Sequence, residues 1–175
     1  MSSIKANTEK PVLLVALGGN ALIRNGGTGS IEEQFRNLAV PLSQVARLSK
    51  KYQVILTHGN GPQVGSLLLQ QECCAAVPRL PLEILVAQTQ GQIGYMIEST
   101  LDNELMELNR EHEQLIITVL TYVLVDKDDP AFANPTKPIG PVFTEEAALK
   151  LPYRTSRTQR GFQRVVASPR PITII

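Results

Sequence analysis

Two glycine turns are the part of this sequence best suited to chemistry, because each directly follows a short apolar run. The first turn consists of Gly18, Gly19 and Asn20, and the second consists of Gly59, Asn60 and Gly61. A glycine backbone can approach a ligand closely and point its N–H groups at it, and the positive end of a following helix adds to the attraction for an anion. Two such turns on neighbouring strands would hold the two ends of one small phosphorylated molecule.

The two asparagines in these turns leave two roles open. The side-chain amides of Asn20 and Asn60 can donate hydrogen bonds to carboxylate or phosphoryl oxygens, or the two residues can tolerate left-handed backbone geometry. Neither turn is followed by the Gly-Lys-Ser/Thr of a Walker loop, and neither fits the G-x-G-x-x-G dinucleotide pattern. One such turn alone is typical of a tight connection, whereas two in the same topological position favour a binding site.

Two titratable side chains, Lys137 and His58, are candidates for catalysis. Lys137 lies between Pro135 and Pro138, which stiffen the backbone. It is either a catalytic lysine on a fixed segment or an ordinary solvated lysine. His58 precedes the second turn and is either a base or a ring that hydrogen-bonds to nearby backbone. No nucleophile, base and orienting residue form a recognisable set, and we predict no metal ligands.

The apolar periodicity predicts an alternation of strands and helices that would position these residues. The predicted order is a strand over 12–17, a helix from Ser30, a strand over 53–57, a helix from Pro62, a helix over 82–110, and one or two strands over 114–125. Such alternation favours an α/β fold with a mostly parallel sheet and helices on both of its faces, in three layers. We therefore expect the first two strands to be adjacent and parallel, with both glycine turns opening on one pocket at their carboxyl ends.

The character of the sequence changes after Val125, where turn-forming residues become frequent. We predict a polar leader over 1–10, an α/β domain over 11–125, a small protruding lid subdomain over 126–163 and a return to the main sheet over 164–175. A short helix is expected over 145–149 and a strand over 164–167. The new apolar segment over 172–175 leads us to expect that the chain is part of a longer protein.

Composition and charge narrow the class of protein. A chain of 175 residues with 43% hydrophobic residues is enough for one domain with a core. The net charge of +1 does not by itself predict a polyanionic partner. The charged residues after Glu146 are all basic; they are Lys150, Arg154, Arg157, Arg160, Arg164 and Arg170. They form either a solvated face or a phosphate-facing surface, and we expect no nucleic-acid partner because aromatic residues are sparse.

The two cysteines, Cys73 and Cys74, are adjacent in a predicted helix. Neighbouring side chains on a helix point about 100° apart, so this pair is poorly placed to form a disulfide. With no signal peptide before the first strand and no apolar run near the ~20 residues that span a membrane, we expect a cytoplasmic protein with reduced cysteines and no membrane partner.

Five segments of the sequence resemble motifs of carbamate kinase, a member of the amino acid kinase family. They are VALGGNAL over 15–22, THGNGPQVG over 57–65, QGQIGY over 90–95, NPTKPIGP over 134–141 and RVVASP over 164–169. The motifs stand in the family's order and cover nearly the whole chain after the leader. Related amino acid kinases, such as acetylglutamate kinase, resemble the first turn but usually carry a third glycine where Asn60 stands.

The resemblance implies reversible phosphoryl transfer between ATP and carbamate, which gives carbamoyl phosphate and ADP. It also implies that the two glycine turns hold carbamoyl phosphate, that Lys137 and Asn20 are catalytic, and that Lys137 closes over the transferring phosphoryl group from the lid. ATP or ADP with Mg would be bound mainly by a second, nucleotide-binding half that this chain lacks. A cytoplasmic homodimer acting in arginine metabolism is implied as well.

Because the nucleotide-binding half is missing from the sequence, we expect the chain alone to be inactive. Two alternatives stay open: a non-catalytic, truncated module that binds carbamoyl phosphate, and a kinase of another small carboxylate. The helix over 82–110 should bury more apolar surface than one domain can cover, which also favours a homodimer.

Overall fold

The computed structural model describes residues 10–24, 26–74, 76–110 and 113–175, without the side chains of Gly19 and Asn20. The chain forms two compact units. The first contains the chain up to Gly59 together with Gly94–Ile117, and the second contains Asn60–Ile93 and Thr118–Ile175.

Helices and strands alternate in the first half of the chain, and strands predominate in the second half. The elements are β1 (Val12–Leu17), α1 (Gly19–Leu22), α2 (Ile31–Leu48), β2 (Gln53–His58), α3 (Gly61–Glu72), α4 (Leu82–Glu107), β3 (Val123–Val125), β4 (Lys137–Phe143), α5 (Glu145–Ala148), β5 (Thr155–Thr158), β6 (Gly161–Val166) and β7 (Pro171–Ile174). The predicted α/β class is confirmed. No helix in the described part of the chain has both the length and the apolar content needed to cross a membrane.

In the first unit, β1 and β2 form a parallel two-stranded sheet. The pairing runs in register from Val12 opposite Gln53 to Leu17 opposite His58. The prediction that these two strands are adjacent and parallel is therefore confirmed, and each glycine turn follows the carboxyl end of its strand. The pairs β3–β7, β4–β6 and β6–β5 are antiparallel.

One face of the β1–β2 sheet is apolar and open. Val12 and Leu14 of β1 are 61% and 64% exposed, and Ile55 of β2 is 52% exposed. The intervening residues Leu13 and Val15 are partly buried, as the alternation of side chains along a strand requires. Parallel sheets normally have both faces covered, so an open apolar face is unusual for a sheet of this kind.

The short helix α1, which directly follows the first turn, is fixed to α2. Leu22 of α1 is fully buried, as are Leu38 and Leu42 of α2. The side-chain nitrogen Nδ2 of Asn37 donates to the carbonyl oxygen of Leu22 at 2.9 Å. Because this bond and the apolar contacts hold α1, they also hold the end of the first glycine turn.

The start of α2 is capped as the sequence predicts. The Ser30 hydroxyl oxygen accepts a hydrogen bond from the backbone N–H of Glu33 at 3.3 Å. The Glu33 carboxylate accepts from the Thr28 hydroxyl at 2.8 Å and from the Gly29 N–H at 3.0 Å. These two bonds hold the pKa of Glu33 below its usual value.

In the second unit, β3 and β7 form an antiparallel ribbon at the base of the segment between them. The Asp129 carboxylate accepts hydrogen bonds from the Arg170 N–H at 2.9 Å and from the Ala131 N–H at 2.8 Å. The bonds from Arg170 and Ala131 lower the pKa of Asp129. The ribbon and Asp129 thus join the two ends of the segment that carries β4, α5, β5 and β6.

Helix α3 supports the three-stranded sheet β4–β6–β5. A Cβ atom added to Gly65 of α3 would lie 1.9 Å from the Cα of Gly140 in β4. Gly140 has a φ of 75°, which favours glycine, and its carbonyl oxygen accepts from Nε2 of Gln163 at 2.9 Å. The buried cluster at this contact consists of Val64, Leu68, Leu85 and Ile139. Helix and strand therefore touch backbone to backbone.

One sequence-based expectation about strands differs from the structure, and one strand forms where turn-forming residues are frequent. The predicted strand over 114–125 is wrong except for Val123–Val125, because apolar alternation does not by itself supply a hydrogen-bonding partner. The turn-forming residues over 134–141 do not prevent β4, which begins at Lys137. Pro138 is tolerated there because β4 is an edge strand, paired on one side with β6.

The cysteines lie just beyond α3 and not within it. The helix ends at Glu72, and Cys73 is its C-terminal cap. Both Cys73 and Cys74 are free and exposed.

Candidate functional site

The two glycine turns begin side by side at the carboxyl edge of the β1–β2 sheet. Gly18 directly follows β1 and Gly59 directly follows β2, and the Gly59 N–H donates to the Leu17 carbonyl oxygen at 3.3 Å. A Cβ atom on Gly18 or on Gly59 would meet no heavy atom within 4 Å. Both turns therefore face open space at the edge where ligands of parallel sheets bind.

The first turn leads straight into α1. The Gly18 carbonyl oxygen accepts from the Ala21 N–H at 2.8 Å. The side chain of Asn20 lies outside the described part of the chain, so its catalytic role stays a prediction. The same holds for the ligand contacts predicted for Gly18 and Gly19.

In the second turn, the Asn60 side chain is held by α4. Its Nδ2 donates to the Thr89 hydroxyl oxygen at 2.9 Å and lies 3.5 Å from the Val86 carbonyl oxygen. The backbone of Asn60 has φ −135° and ψ 8°, so the left-handed alternative does not apply to this residue. The structure thus gives the amide a third role that the sequence had not suggested, which is to tie the turn to the buried Thr89 of α4.

Asn60 does not cap α3 with its side chain, although asparagine is among the residues that most often do so. The first helical bond runs from the Val64 N–H to the Asn60 carbonyl oxygen at 3.0 Å. A Cβ atom on Gly61 would meet nothing within 4 Å. The start of α3 therefore has open space beside its first residue and no cap from the Asn60 side chain.

Thr89 is a residue that sequence reasoning missed. It is 0% exposed, accepts from Asn60 and donates to the Val86 carbonyl oxygen at 2.9 Å. A threonine inside a long helix carries no distinctive local signal. The only indication in the sequence was that Thr89 directly precedes the QGQIGY segment over 90–95.

His58 makes the local contact that was one of its two predicted roles. Its ring nitrogen Nδ1 lies 3.4 Å from the carbonyl oxygen of Gly59. This contact favours the backbone-bonding role over that of a general base.

Lys137 is the first residue of β4 and pairs with Val166 of β6. Its side chain is exposed, and it makes no hydrogen bond or ion pair with the described residues. An unpaired ammonium group on a strand fixed to α3 can neutralise a phosphoryl oxygen without first breaking a salt bridge. Lys137 lies in the second unit, as do Asn60 and Gly61.

Two of the basic residues after Glu146, Arg164 and Lys150, pair with acidic residues of this chain. Arg164 donates to the carboxylate of Glu72, and its guanidinium lies 4.3 Å from the centre of the Tyr153 ring. Burial raises the pKa of Tyr153, and the Glu72 carboxylate adds to the shift. Lys150 pairs with Glu146 at 2.9 Å on the surface. Arg164 therefore joins β6 to α3, and Lys150 is an ordinary solvated residue.

The described residues do not fit a magnesium site. No group of three or more His, Cys, Asp or Glu side chains in the described ranges could hold a metal ion. The two turns consist of glycine and asparagine and contain no carboxylate, whereas Mg²⁺ prefers carboxylates and water. No step proposed below therefore runs through a metal bound by this chain.

Comparison with known proteins finds carbamate kinases among the relatives of this chain. No family model matches the chain. Carbamate kinase of Pyrococcus furiosus is 45% identical over 168 residues, which cover 91% of this chain and 53% of that protein. Carbamate kinase of Escherichia coli strain K12 is 43% identical over 167 residues, which cover 93% of this chain and 54% of that protein. The chain thus spans about half the length of the curated relatives it matches.

Solved structures agree with the sequence comparison. The carbamate kinase from Giardia lamblia bound to citric acid superposes with a TM-score of 0.88 at 36% identity, over 96% of this chain and 56% of that one. The same enzyme bound to AMP-PNP superposes with a TM-score of 0.78 at 37% identity, over 96% of this chain and 55% of that one. The fold of the chain is accordingly the amino acid kinase fold. Within that class, the chain is a homologue of the carbamate kinases and corresponds to their N-terminal portion.

Proposed function

We propose that the chain is the carbamate-binding portion of a carbamate kinase, an enzyme that transfers a phosphoryl group reversibly between ATP and carbamate. The observation that carries the proposal is homology to carbamate kinases over 91% of the chain. The glycine turns at the carboxyl ends of two adjacent parallel strands support it, because that edge suits an anionic ligand.

The proposed reaction, in the ATP-forming direction, starts from carbamoyl phosphate and ADP. The bond between phosphorus and the carbamoyl oxygen breaks, and a terminal oxygen of ADP forms the new bond to phosphorus, which leaves carbamate and ATP. Such a transfer depends on in-line positioning and on neutralised phosphoryl oxygens more than on covalent chemistry. Preorganised backbone donors and one lysine can supply both on the substrate side.

We assign positioning to the two turns and charge neutralisation to Lys137. The residues assigned to binding are Gly18, Gly19, Asn20, Gly59, Asn60 and Gly61, and Asn20 is assigned a catalytic role with Lys137. Support comes from the open space beside Gly18, Gly59 and Gly61. The assignment of charge neutralisation to Lys137 is supported by its exposed ammonium group, which makes no ion pair with the described residues.

ATP or ADP, with Mg, is assigned to a further portion of the protein that corresponds to the rest of the relatives' length. The Giardia lamblia carbamate kinase structure with AMP-PNP shows that a member of the family holds a nucleotide analogue. The open apolar face of Val12, Leu14 and Ile55 also favours a further portion, since such faces are normally covered.

The purified chain alone should make no measurable ATP from carbamoyl phosphate and ADP, because the groups that would orient the nucleotide are assigned to another portion. A fusion of this chain to the remaining portion of the Pyrococcus furiosus carbamate kinase should make ATP. A coupled luciferase assay on both proteins measures the difference. Robust turnover by the chain alone would contradict the assignment of nucleotide binding to another portion. An inactive but folded fusion would contradict the assigned reaction.

The alternative of a non-catalytic carbamoyl phosphate module predicts binding without turnover in every context. The DNA downstream of the codon for Ile175 distinguishes it from the kinase, because a kinase gene would continue in frame into a glycine-rich nucleotide-binding half. A kinase of another small carboxylate would be recognised by a substrate screen on the fusion protein.

The complete enzyme is proposed to be a homodimer. Ile84, Tyr95 and Met106 of α4 are exposed large side chains, which supports an interface along this helix. Multi-angle light scattering of the active fusion should give twice the mass of one chain. A monomer at high protein concentration would rule out this assembly.

We further propose that the protein acts in the cytoplasm, in arginine metabolism. The two free, exposed thiols of Cys73 and Cys74 favour a reducing compartment. Fractionation of the source cells with an antibody against the chain would test the compartment.

A further inference from the structure

The face of the three-stranded sheet that carries Lys137 is the face that lies against α3. In the antiparallel pair β4–β6, Lys137 is opposite Val166 and Ile139 is opposite Arg164. Directly opposite side chains share one face of a sheet, as do side chains two residues apart along a strand. Ile139 belongs to the buried cluster with Val64 of α3, and Val166 packs against that cluster. Lys137 and Arg164 therefore belong to the face that α3 supports.

Two kinds of contact hold the β4 side of this sheet against α3 without fixing the angle between sheet and helix. The buried cluster is apolar, and the burial of apolar surface is non-directional. The close approach of Gly65 and Gly140 is one point of backbone contact. A sheet held at one point can still turn about that point, so a directional contact at a second point is needed to fix it.

The ion pair between Arg164 and Glu72 is that directional contact. Glu72 is the last residue of α3, so it lies about 10 Å farther along the helix than Gly65. The side chains of Arg164 and Glu72 are only 24% and 20% exposed, and a charge-assisted hydrogen bond has a defined geometry. Cζ of Arg164 lies 4.3 Å from the centre of the Tyr153 ring, and the negative end of α3 favours a cation there. These neighbours hold Arg164 in one place.

We propose that Glu72 and Arg164 are positioning residues for Lys137. Their ion pair fixes the angle at which the sheet lies on α3, and so sets the place of the Lys137 ammonium group relative to the second glycine turn, which begins the same helix. Partly buried ion pairs often add little net stability, because the loss of hydration offsets the attraction, and a geometric role accounts for this pair better. The inference rests on the proposed function for the role of Lys137, whereas the angle between sheet and helix does not depend on it.

The angle can be measured in the ¹⁵N-labelled chain without any substrate. Residual dipolar couplings of the backbone amides give the orientation of β4, β5 and β6 relative to α3. We expect Glu72→Gln, which removes the charge and keeps the shape, to change this orientation. Arg164→Lys, which keeps the charge but not the planar fork, should change it as well. Glu146→Gln is the matched control and should not, because the pair of Glu146 with Lys150 is exposed. Circular dichroism establishes that each variant is folded.

Kinetics of the active fusion protein test whether the ion pair acts through Lys137. Glu72→Gln should lower kcat about tenfold with little change in KM, because a small displacement of a charged donor weakens the transition state more than the bound substrate. In the Lys137→Ala background the same substitution should lower kcat no further, since the group that it positions is already gone. A merely structural effect would instead multiply with that of Lys137→Ala.

Unchanged dipolar couplings in both Glu72→Gln and Arg164→Lys, wild-type kcat in Glu72→Gln, a loss carried by KM, or multiplicative effects of Glu72→Gln and Lys137→Ala would each overturn the inference. An inactive fusion protein, or wild-type kcat in Lys137→Ala, would instead count against the proposed function. In that case the dipolar couplings still decide whether the ion pair sets the angle of the sheet on α3.

Discussion

Replacing Lys137 by alanine should lower kcat of the active fusion protein by a factor of about a hundred or more while changing KM much less. Removal of one preorganised charged donor from a water-excluded site typically costs about 3 kcal/mol of transition-state stabilisation. A lysine that meets the phosphoryl group mainly as charge redistributes stabilises the transition state more than the bound substrate. Steady-state kinetics in the ATP-forming direction measures both parameters.

Lys127→Ala is the matched control for this prediction. Lys127 is another exposed lysine, in the segment between β3 and β7. Its Nζ lies 3.9 Å from Oδ2 of Asp128, which is also exposed. Its removal should leave kcat and KM unchanged, because exposed ion pairs contribute little. Asn60→Ala should impair both parameters, because it removes the amide that ties the second turn to Thr89 of α4. Wild-type kcat in Lys137→Ala would make Lys137 an ordinary surface lysine.

Replacing Gly65 by alanine should lower the free energy of unfolding of the chain by about 3 kcal/mol, the upper part of the range for overpacked sites. The new Cβ atom would lie 1.9 Å from the Cα of Gly140 and 2.2 Å from its backbone nitrogen. A flexible side chain could move aside, but here the obstacle is the backbone of β4. The strand that begins with Lys137 would have to separate from α3, so kcat of the fusion protein should fall as well.

Gly91→Ala provides the control for the helix itself. Gly91 lies within α4, and a Cβ atom there would meet nothing within 4 Å. Alanine in a helix interior is about 1 kcal/mol better than glycine, so this variant should gain stability. Urea denaturation of the two variants beside the wild type separates the contact with Gly140 from helix propensity. Equal stability of Gly65→Ala and Gly91→Ala would show that α3 and β4 do not require this close approach.

The contact between Gly65 and Gly140 bears on how Lys137 reaches its substrate. Asn60 and Gly61 stand at the start of α3, and Lys137 stands at the start of the strand that lies against the same helix. Arg164 and Glu72 add a second connection at the other end of α3. We therefore expect Lys137 to move together with the second glycine turn and not as a free lid above it.

Most features of the β1–β2 half of the site could be predicted from short stretches of sequence. Apolar runs ending in glycine identified β1 and β2, and the order of strands and helices was enough to predict that they are parallel neighbours. The Ser30 cap followed from a four-residue pattern. These signals are local because the backbone preferences of glycine, the spacing of apolar residues and helix caps each involve only a few consecutive residues.

The second unit was harder to predict because its contacts join distant parts of the chain. β4 contains prolines and a glycine with positive φ, and it exists because β6, far along the sequence, pairs with one of its edges. The alternating segment over 114–125 looked like a strand, but only its last three residues, Val123–Val125, form one, paired with β7. Pairing of this kind depends on which segments meet, which a local pattern does not contain.

By itself, the sequence determined where the two glycine turns stand, that they end adjacent parallel strands, and which family the chain resembles. Only the tertiary structure decided that Thr89 holds the Asn60 amide, that Gly65 and Gly140 bring α3 and β4 into backbone contact, and that Arg164 is engaged with Glu72 and Tyr153. The physical reason is the range of the interactions. Turn and cap preferences act within a few residues, whereas a buried hydrogen bond or a close backbone contact forms only after folding brings its two partners together.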